Sequence, residues 1–384
     1  MRWMLIFGAL LLALSPSAAL AAPKAAPLEI SGWIPYWRMA TGTADVLPRL
    51  STFNALMPFG YIVQNDGTLH DAFNFESTSA TSTANTLIAA ARVKKVKIIP
   101  SIMWSNGAAI HAVLSNTASR IALEDAIAAL VKEKGFDGID IDFESKLAET
   151  RPYFSLFLKG LYMRMGQKWV YCTIEPRTPP ASAFAVMPKK FEYANDYVAI
   201  NKYCDRVNIM AYDQGTIDLK LNAAANQAPY IPIGDVQWVE KVVTLAAQTI
   251  SKKKLVIGVA TYGYEYDLIP LAQGYRYQLN WAFNPRYATA LAADLGLVPK
   301  RNSAGEMSLT YVSTTTSTTN LIASAGSAGP VQATTTPMRI MWWSDAQAIN
   351  DKIKLAKKLG VRGVAIFKLD GGQDPNIWNV LPKK

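Results

Sequence analysis

The residues whose types and spacing could do chemistry are concentrated in one segment, GFDGIDIDFESK, from Gly135 to Lys146. It contains Asp140, Asp142 and Glu144, with apolar residues between them. Side chains of a β-strand alternate between its two faces, so these carboxylates share one face. Close carboxylates cannot all ionise cheaply, so at least one is expected to have a raised pKa and to act as an acid near neutral pH.

A calcium loop and a solvated acidic edge are the two alternative explanations of this segment. A calcium loop needs exposed oxygen donors, whereas Ile139, Ile141 and Phe143 suit a buried strand. A solvated edge is disfavoured because the opposite face is strongly apolar. We therefore predict that the acids project into a barrel, with Glu144 at the carboxyl end of its strand. Asp137 lies on the other face and is predicted to be structural.

The elements that would position this strand alternate along the chain. Eight apolar segments are typical of strands: LEISGWIPYW, FNALMPFGYIV, VKIIPSIMW, FDGIDIDFE, WVYCTIEP, RVNIMAYD, LVIGVATYGY and GVRGVAIFKL. Stretches with helical spacing follow several of them, including TANTLIAAARVKK and ASRIALEDAIAALVKEKG. Ser344 and Gln347 are predicted to cap the last helix and Gly360 to end it. Because parallel strands need covering crossovers, residues 22–384 are predicted to form an α/β fold, a (β/α)₈ TIM barrel.

One interval is longer than a helical crossover requires. Residues 264–341, between the seventh and eighth strands, contain many aromatic residues, a helical stretch at PRYATALAADLG and the low-complexity run STTTSTTNLIASAGSAG. We interpret this interval as a small α+β insertion within the barrel. The alternative is a long disordered loop, which the Ser/Thr run by itself could be.

The amino terminus and the overall charge limit where the protein could act. Arg2, the apolar run MLIFGALLLALSP and the segment SAALAAP have the pattern of a signal peptide spanning residues 1–21, cleaved near Ala21. No other apolar run approaches membrane-spanning length, so we expect a soluble secreted or periplasmic protein. The formal net charge is +10, but no nucleic-acid motif is present, so we expect no nucleic-acid partner. We also expect the protein to be a monomer.

Cysteine and histidine are too few for several kinds of site. Cys172 and Cys204 are the only cysteines, which excludes a disulfide framework and a thiolate zinc site. The sequence leaves open whether they form one bridge, because it does not give the distance between their Cα atoms. His70 and His111 are the only histidines, so a Ser-His-Asp triad or a His-rich metal site is disfavoured.

The segment DGIDIDFE, from Asp137 to Glu144, matches the DxxDxDxE signature of glycoside hydrolase family 18, the chitinase family. The resemblance covers most of the mature chain, from GWIPYW near the start to GVRGVAIFKLD near the end. NIMAYD resembles the sixth strand of the family, and the likeness there falls on Met210, Tyr212 and Asp213. Many family members also carry an α+β insertion where the long interval lies.

Two segments depart from the family pattern. SIMWSNG keeps a serine but lacks the paired glycines of many chitinases. Phe367 stands where a tryptophan often ends the eighth strand beneath the cleaved sugar. These departures make the chain resemble the bacterial spore-cortex and cell-wall branch more than typical secreted chitinases.

Aromatic residues near strand ends could either stack on sugars or pack in the core. They are Tyr36, Trp37, Phe59, Tyr61 and Trp104. The residues that we predict to contact substrate are Tyr36, Phe59, Met210, Asp213 and Phe367.

The resemblance implies hydrolysis of β-1,4-linked N-acetylglucosamine polymers, either chitin or peptidoglycan glycan, assisted by the 2-acetamido group of the substrate. Glu144 would protonate the glycosidic oxygen, and Asp142, sharing a proton with Asp140, would orient the acetamido group. Tyr212 would hydrogen-bond the acetamido oxygen. No metal or organic cofactor is required.

Two other functions stay open at this point. One is a catalytically silent sugar-binding member of the family, and the other is a wall-remodelling protein that acts with a partner complex. Silent members usually lack the terminal glutamate of the signature, so the presence of Glu144 favours the enzyme.

Overall fold

The computed structural model describes residues 27–313, 317–321, 331–335 and 338–382, with the backbone alone for the two short middle segments. The predicted signal peptide at residues 1–21 and most of the Ser/Thr-rich run lie outside the described residues.

Strands and helices alternate along the described chain. The strands are β1 (Glu29–Ile34), β2 (Ala55–Val63), β3 (Leu69–Asp71), β4 (Lys97–Ile98), β5 (Ser101–Trp104), β6 (Gly138–Phe143), β7 (Trp169–Ile174), β8 (Arg206–Ile209), β9 (Leu255–Ala260), β10 (Gly263–Pro270), β11 (Tyr275–Phe283), β12 (Lys300–Arg301), β13 (Met307–Val312), β14 (Ser317–Leu321), β15 (Val331–Thr335), β16 (Met338–Trp343) and β17 (Gly363–Phe367). The helices are α1 (Met39–Val46), α2 (Thr83–Val93), α3 (Gly107–Ser115), α4 (Thr117–Lys134), α5 (Arg151–Met165), α6 (Pro180–Ala183), α7 (Tyr197–Tyr203), α8 (Leu219–Ala224), α9 (Val236–Ala246), α10 (Pro285–Asp294), α11 (Ala346–Leu359) and α12 (Ile377–Val380).

Parallel strands close into a barrel in the order β1, β2, β5, β6, β7, β8, β9 and β17, and β1 pairs with both β2 and β17. These are the eight strands that the sequence predicts, so the TIM-barrel prediction is confirmed. The two-residue strand β4 also pairs with β2, just before β5 in the chain, and β3 folds back on β2 as an antiparallel neighbour. The barrel places the carboxyl ends of all eight strands at one rim, where loops can carry a site.

Strand β6 shows how alternating side chains build the barrel wall. Ile139, Ile141 and Phe143 are fully buried in the core between strands and helices. The Phe143 ring lies 5.4 Å from that of Phe157 on α5. Helix α4 leads into this strand and ends at Gly135, whose φ of 66° is a left-handed conformation that glycine adopts without strain. The inner face of β6 is therefore left for the acids.

The antiparallel sheet between β9 and β17 stands apart from the barrel and has the strand order β11, β10, β16, β13, β12. Helix α10 belongs to the same interval, and Ala288 on it packs in one core with Phe283 and Trp343. Trp342, which points the other way, packs with Tyr230. The predicted α+β insertion between the seventh and eighth barrel strands is therefore confirmed, and β14 and β15 add a two-stranded ribbon within it.

Two local features refine the sequence analysis. Helix α11 is capped by Asp345, whose side chain accepts from the N–H of Ala348. The predicted Ser344 cap is wrong because Asp345 takes the capping position one residue later, while Gly360 ends the helix at a φ of 67° as predicted.

The open question about the cysteines is answered by a Cys172–Cys204 disulfide with a Cα–Cα distance of 5.9 Å. Both residues are fully buried. Within the described part of the chain, no helix has the length and apolar character needed to cross a bilayer.

Candidate active site

Asp140 lies deepest of the three acids, fully buried inside the barrel. It accepts hydrogen bonds from the Trp33 indole at 3.0 Å, the Ser101 hydroxyl at 2.6 Å and the Thr173 hydroxyl at 2.8 Å. Burial raises the pKa of Asp140, and the three donors oppose that shift. Asp140 is thus held in place by four different strands, counting its own.

Asp142 lies two residues closer to the rim, where its side chain lines an open cleft while remaining 4% exposed. Its Oδ1 atom has no hydrogen-bond partner among the described residues. Burial raises the pKa of Asp142 well above its ordinary value, and the charges of Glu144 and Asp140 raise it further. This carboxyl therefore lines the cleft and also has a buried oxygen without a partner among the described residues.

Glu144 follows the last residue of β6 and also lines the cleft. Its backbone N–H donates to the carbonyl oxygen of Trp104 at 2.7 Å, which extends the pairing of β6 with β5. Burial and then the charge of Glu175 raise the pKa of Glu144, while Lys146 lowers it. A half-buried glutamic acid with a raised pKa can hold its proton closer to neutral pH and donate it.

Tyr212 and Asp213 follow β8 on the neighbouring side of the cleft. The Tyr212 ring stacks on Phe367 with centroids 5.4 Å apart. A Cβ at Gly258 would lie 2.5 Å from the Ile209 carbonyl and 3.0 Å from the Tyr212 ring, so glycine is needed there.

The Asp213 carboxylate is fixed from the start of the insertion. The Tyr262 hydroxyl donates to its Oδ1 at 2.7 Å. Burial raises the pKa of Asp213, and hydrogen bonds from Tyr262 and Tyr264 oppose the shift. The two tyrosines, which the sequence analysis did not single out, thus orient a predicted substrate contact.

The cleft has a volume of about 630 Å³. It brings together eight of the nine predicted site residues: Tyr36, Phe59, Asp142, Glu144, Met210, Tyr212, Asp213 and Phe367. Asp140 does not reach it and lies beneath Asp142 in the barrel. Trp37, at 50% exposure, stands at the edge of this cleft.

A second hollow of about 460 Å³ adjoins the cleft and shares Trp37, Asp213 and Phe367 with it. Trp281 and Asn284 of the insertion line its far side. The combined groove runs from the barrel rim to the insertion.

Two of the aromatic candidates are core residues. Tyr61 is buried against Phe75, with ring centroids 5.7 Å apart, and does not line the cleft. An irregularity in the β2–β5 pairing between Phe59 and Tyr61 breaks the two-residue alternation, so the two rings point to opposite sides. Trp104 reaches the cleft but is 4% exposed and packs edge-on to Phe143.

Glu175 and Lys146 are charged neighbours of the acids that the sequence analysis missed. Glu175 directly follows β7, and Lys146 is two residues beyond Glu144. The Lys146 side chain is 1% exposed, and its Nζ lies 3.5 Å from Glu175 Oε1. In the sequence, each of them is a charged residue at or just beyond the end of a predicted strand. The spacing of residues along the chain does not indicate that the two meet.

The chain was compared with models of known protein families. A family model described as glycosyl hydrolases family 18 matches residues 47–372. The chain belongs to this family. The predicted family is therefore confirmed, and with it the class of glycoside hydrolase.

Curated relatives of the family 18 chain include Bacillus proteins named as glycosylases or as a cortical fragment-lytic enzyme. The uncharacterized glycosylase YvbX of Bacillus subtilis (strain 168) is 20% identical over 271 residues, which cover 71% of this chain and 68% of YvbX. Several other curated Bacillus relatives are matched over half of their length or less.

Two solved structures share the fold of the family 18 chain. The spore cortex-lytic enzyme SleL of Bacillus megaterium QM B1551 has a TM-score of 0.69 and 21% identity, covering 94% of this chain and 76% of SleL. The chitinase of Chromobacterium violaceum ATCC 12472 has a TM-score of 0.70 and 17% identity, covering 92% of this chain and 98% of that one.

Proposed function

We propose that this family 18 protein is an exported enzyme that hydrolyses β-1,4-linked N-acetylglucosamine polymers with retention of configuration. The observation that carries the proposal is the series of acids on the inner face of β6. Asp140 is fixed by three donors, Asp142 lines the cleft and has a buried oxygen without a partner among the described residues, and Glu144 lines the same cleft. Each acid therefore has a different environment, as different chemical roles require.

Glu144 acts first as the general acid. Its raised pKa keeps the carboxyl protonated over a wider pH range, and it gives that proton to the glycosidic oxygen as the bond to the anomeric carbon breaks. The 2-acetamido oxygen of the same sugar attacks the anomeric carbon and forms an oxazolinium ion, and the leaving sugar departs as an alcohol. Glu144, now ionised, then takes a proton from the water that opens the ring, so its protonation state is restored.

Asp142 stabilises the oxazolinium ion. Its carboxyl lines the cleft and can accept the acetamido N–H, which fixes the direction of attack. A negative charge at this place stabilises the positive charge that develops on the ring. Asp140 lies behind it and shares its proton, because two buried neighbouring carboxyls are not both ionised at low cost.

Tyr212 and Phe367 shape the place of the reacting sugar. The Phe367 ring stacks with Tyr212 and lies 5.7 Å from the Phe59 ring, which gives an apolar floor for a sugar face. The Tyr212 hydroxyl donates to the acetamido oxygen and holds it for attack.

A polymer is the substrate because the groove is longer than one sugar. The cleft and the adjoining hollow share the floor residue Phe367, so sugars on both sides of the scissile bond can be held. Chitin and the glycan of peptidoglycan both carry the required acetamido group. Two solved structures with this fold, a spore cortex-lytic enzyme and a chitinase, support both polymers as candidates.

The test is product analysis by mass spectrometry on chitin oligomers and purified peptidoglycan in parallel. The secreted, mature protein is the sample, and the same protein with Glu144→Gln is the matched control. Cleavage products with free reducing N-acetylglucosamine ends from wild type alone are expected. If both proteins bind the oligomers equally and neither cleaves either polymer, the hydrolase proposal is wrong and the sugar-binding alternative replaces it.

A further inference from the structure

The turn beside Glu144 is held by residues that follow the two neighbouring strands, β5 and β7. Ser145, the next residue, has a φ of 56°, a left-handed conformation that is uncommon for serine. On one side, a Cβ at Gly107 would lie 2.2 Å from the Ser145 carbonyl oxygen, so only glycine permits that approach. On the other side, the Ser145 N–H donates to Glu175 Oε1 at 3.1 Å. The backbone beside Glu144 is therefore held by a hydrogen bond at the Ser145 N–H and packs closely against Gly107 at the Ser145 carbonyl.

Lys146 fills the space beneath this turn. Its ammonium group donates to the carbonyl oxygen of Phe143 and lies 3.5 Å from each carboxylate oxygen of Glu175. It also lies 4.9 Å from the centre of the Phe154 ring. A cation with 1% exposure needs a compensating charge, and Glu175 supplies it.

Glu175 is itself held in place from the loop that follows β7. Asn195 donates its side-chain amide to Glu175 Oε2 at 2.7 Å. Arg177 donates to the backbone carbonyl of Asn195 and lies between two rings, with its guanidinium 4.0 Å from Tyr193 and 3.8 Å from Tyr197. Glu175 does not line the cleft, so it acts through the turn rather than on the substrate.

We propose that Glu175 is a positioning residue for the acid Glu144, with buried Lys146 as its counter-charge. The proposal rests on the function proposed above, since it assigns a role relative to that acid. Glu175 holds the Ser145 backbone and anchors the Lys146 ammonium, and the two contacts together set where the Glu144 side chain leaves the strand.

Glu175 and Lys146 shift the pKa of Glu144 in opposite directions. Four charged groups face Glu144: Asp142 on its own strand, Lys146 beyond the turn, Glu175 after β7 and Asp213 after β8. Glu175 and Asp213 raise the pKa of Glu144, and Lys146 lowers it. Removing the charge of Glu175 should therefore lower the pKa of Glu144, and removing that of Lys146 should raise it.

Three variants and one control separate position from charge. Glu175→Ala removes the acceptor of the Ser145 N–H, so kcat should fall about 10- to 100-fold with little change in KM, as for a misplaced catalytic group. Glu175→Gln keeps an acceptor oxygen and should recover part of that loss. The third variant, Lys146→Met, keeps an unbranched side chain without charge. Glu240→Gln is the control, because Glu240 also is 37% exposed and pairs with a lysine, Lys358, on the outer helices.

The decisive readout is direct titration of the Glu144 carboxyl by NMR in protein labelled with ¹³C-glutamate, with the signal assigned by its loss in Glu144→Gln. The proposal expects an acid-ward shift of this titration in Glu175→Gln, an opposite shift in Lys146→Met and none in Glu240→Gln. The alkaline limb of kcat should move in the same directions. An unchanged titration in both variants, or a shift in the same direction, overturns it.

This readout does not depend on turnover, so the two proposals fail in different ways. If wild type cleaves no N-acetylglucosamine polymer while the titrations shift in opposite directions, the proposed function fails and the positioning role stands. If wild type is active while the titrations do not move and Glu175→Ala keeps its kcat, the positioning role fails alone. Should Lys146→Met not fold, Glu175→Gln and Glu175→Ala still decide the matter.

Discussion

Strand β6 presents two faces with opposite physical properties to two parts of the molecule. Its outer face puts Ile139, Ile141 and Phe143 into the core, where each fully buried side chain contributes about 1.5–3 kcal/mol to stability. Its inner face puts Asp140 and Asp142 into the barrel, where burial opposes ionisation. Adjacent residues are therefore expected to serve stability and chemistry separately.

The two acids on the inner face differ in how many hydrogen-bond donors surround them. Asp140 is surrounded by donors, as a buried acid in a stable protein usually is. Asp142, nearer the cleft, keeps one oxygen without a partner among the described residues. A buried polar atom left without a hydrogen-bond partner is a cost to the stability of the folded protein. The comparison of the two faces thus predicts which variants lose activity and which lose stability.

The largest expected effect is on the inner side, at Glu144. Glu144→Gln keeps the shape but cannot donate the proton, so kcat on N-acetylglucosamine oligomers should fall by a factor of at least about 100 while oligomer binding survives. The melting temperature should stay close to that of wild type. Steady-state kinetics, calorimetric binding and thermal unfolding measure the three quantities, and retention of most of kcat would remove Glu144 from the acid role.

The next effect is on the outer face. Ile141 lies between Asp140 and Asp142 in the chain but is fully buried in the outer core. Ile141→Ala should lower the free energy of unfolding by about 2–5 kcal/mol, the usual range for such a cavity. Urea unfolding measures the loss, and kcat per folded molecule should stay near the wild-type value. A large fall in kcat with unchanged stability would contradict the claim that the outer face of β6 serves stability and the inner face serves activity.

A smaller effect is expected at Tyr212. Tyr212→Phe removes the hydroxyl and keeps the ring that stacks on Phe367. Losing one hydrogen bond made in the transition state should lower kcat by roughly 10- to 1,000-fold with little change in fold. An unchanged kcat would exclude Tyr212 from the site.

The smallest effect is the change in the free energy of unfolding that burial of Asp142 on the inner face causes. The pKa of Asp142 is raised in the folded protein, so above the ordinary aspartate pKa the unfolded chain loses this proton before the folded protein does. The contribution of Asp142 to stability is therefore highest at low pH and falls as pH rises toward its folded pKa. Asp142→Asn should be more stable than wild type at neutral pH, and the difference should shrink on acidification.

Urea unfolding of both proteins across a pH series checks this prediction for Asp142. A variant that is less stable at neutral pH, or a difference that does not depend on pH, would show that the inner face carries no such cost.

Much of this arrangement could be predicted because it follows from local pattern. The two-residue alternation in β6 is enough to separate the acids from the isoleucines, and Met210, Tyr212 and Asp213 come from a resemblance within one short segment, NIMAYD. Tyr61 shows where alternation fails, since an irregular pairing beside Gly60 reverses its direction without a signal in the periodicity.

What could not be predicted depends on contacts between strands. Glu175 and Lys146 lie 29 residues apart in sequence, and only the pairing of β6 with β7 brings them together. The disulfide likewise depends on the neighbouring positions of β7 and β8. Asp213 was predicted, but Tyr262 and Tyr264, which orient it, lie across the start of an insertion whose path the sequence does not define.

The most direct test of the central claim compares chitin oligomers with the same oligomers after complete removal of their N-acetyl groups. If the acetamido oxygen is the nucleophile and Asp142 orients it, wild type should cleave the acetylated oligomers and leave the deacetylated ones uncut, with weak binding of the latter. Cleavage of the deacetylated oligomers at a rate near that of the acetylated ones would contradict the mechanism, because another nucleophile would then have to replace the missing group.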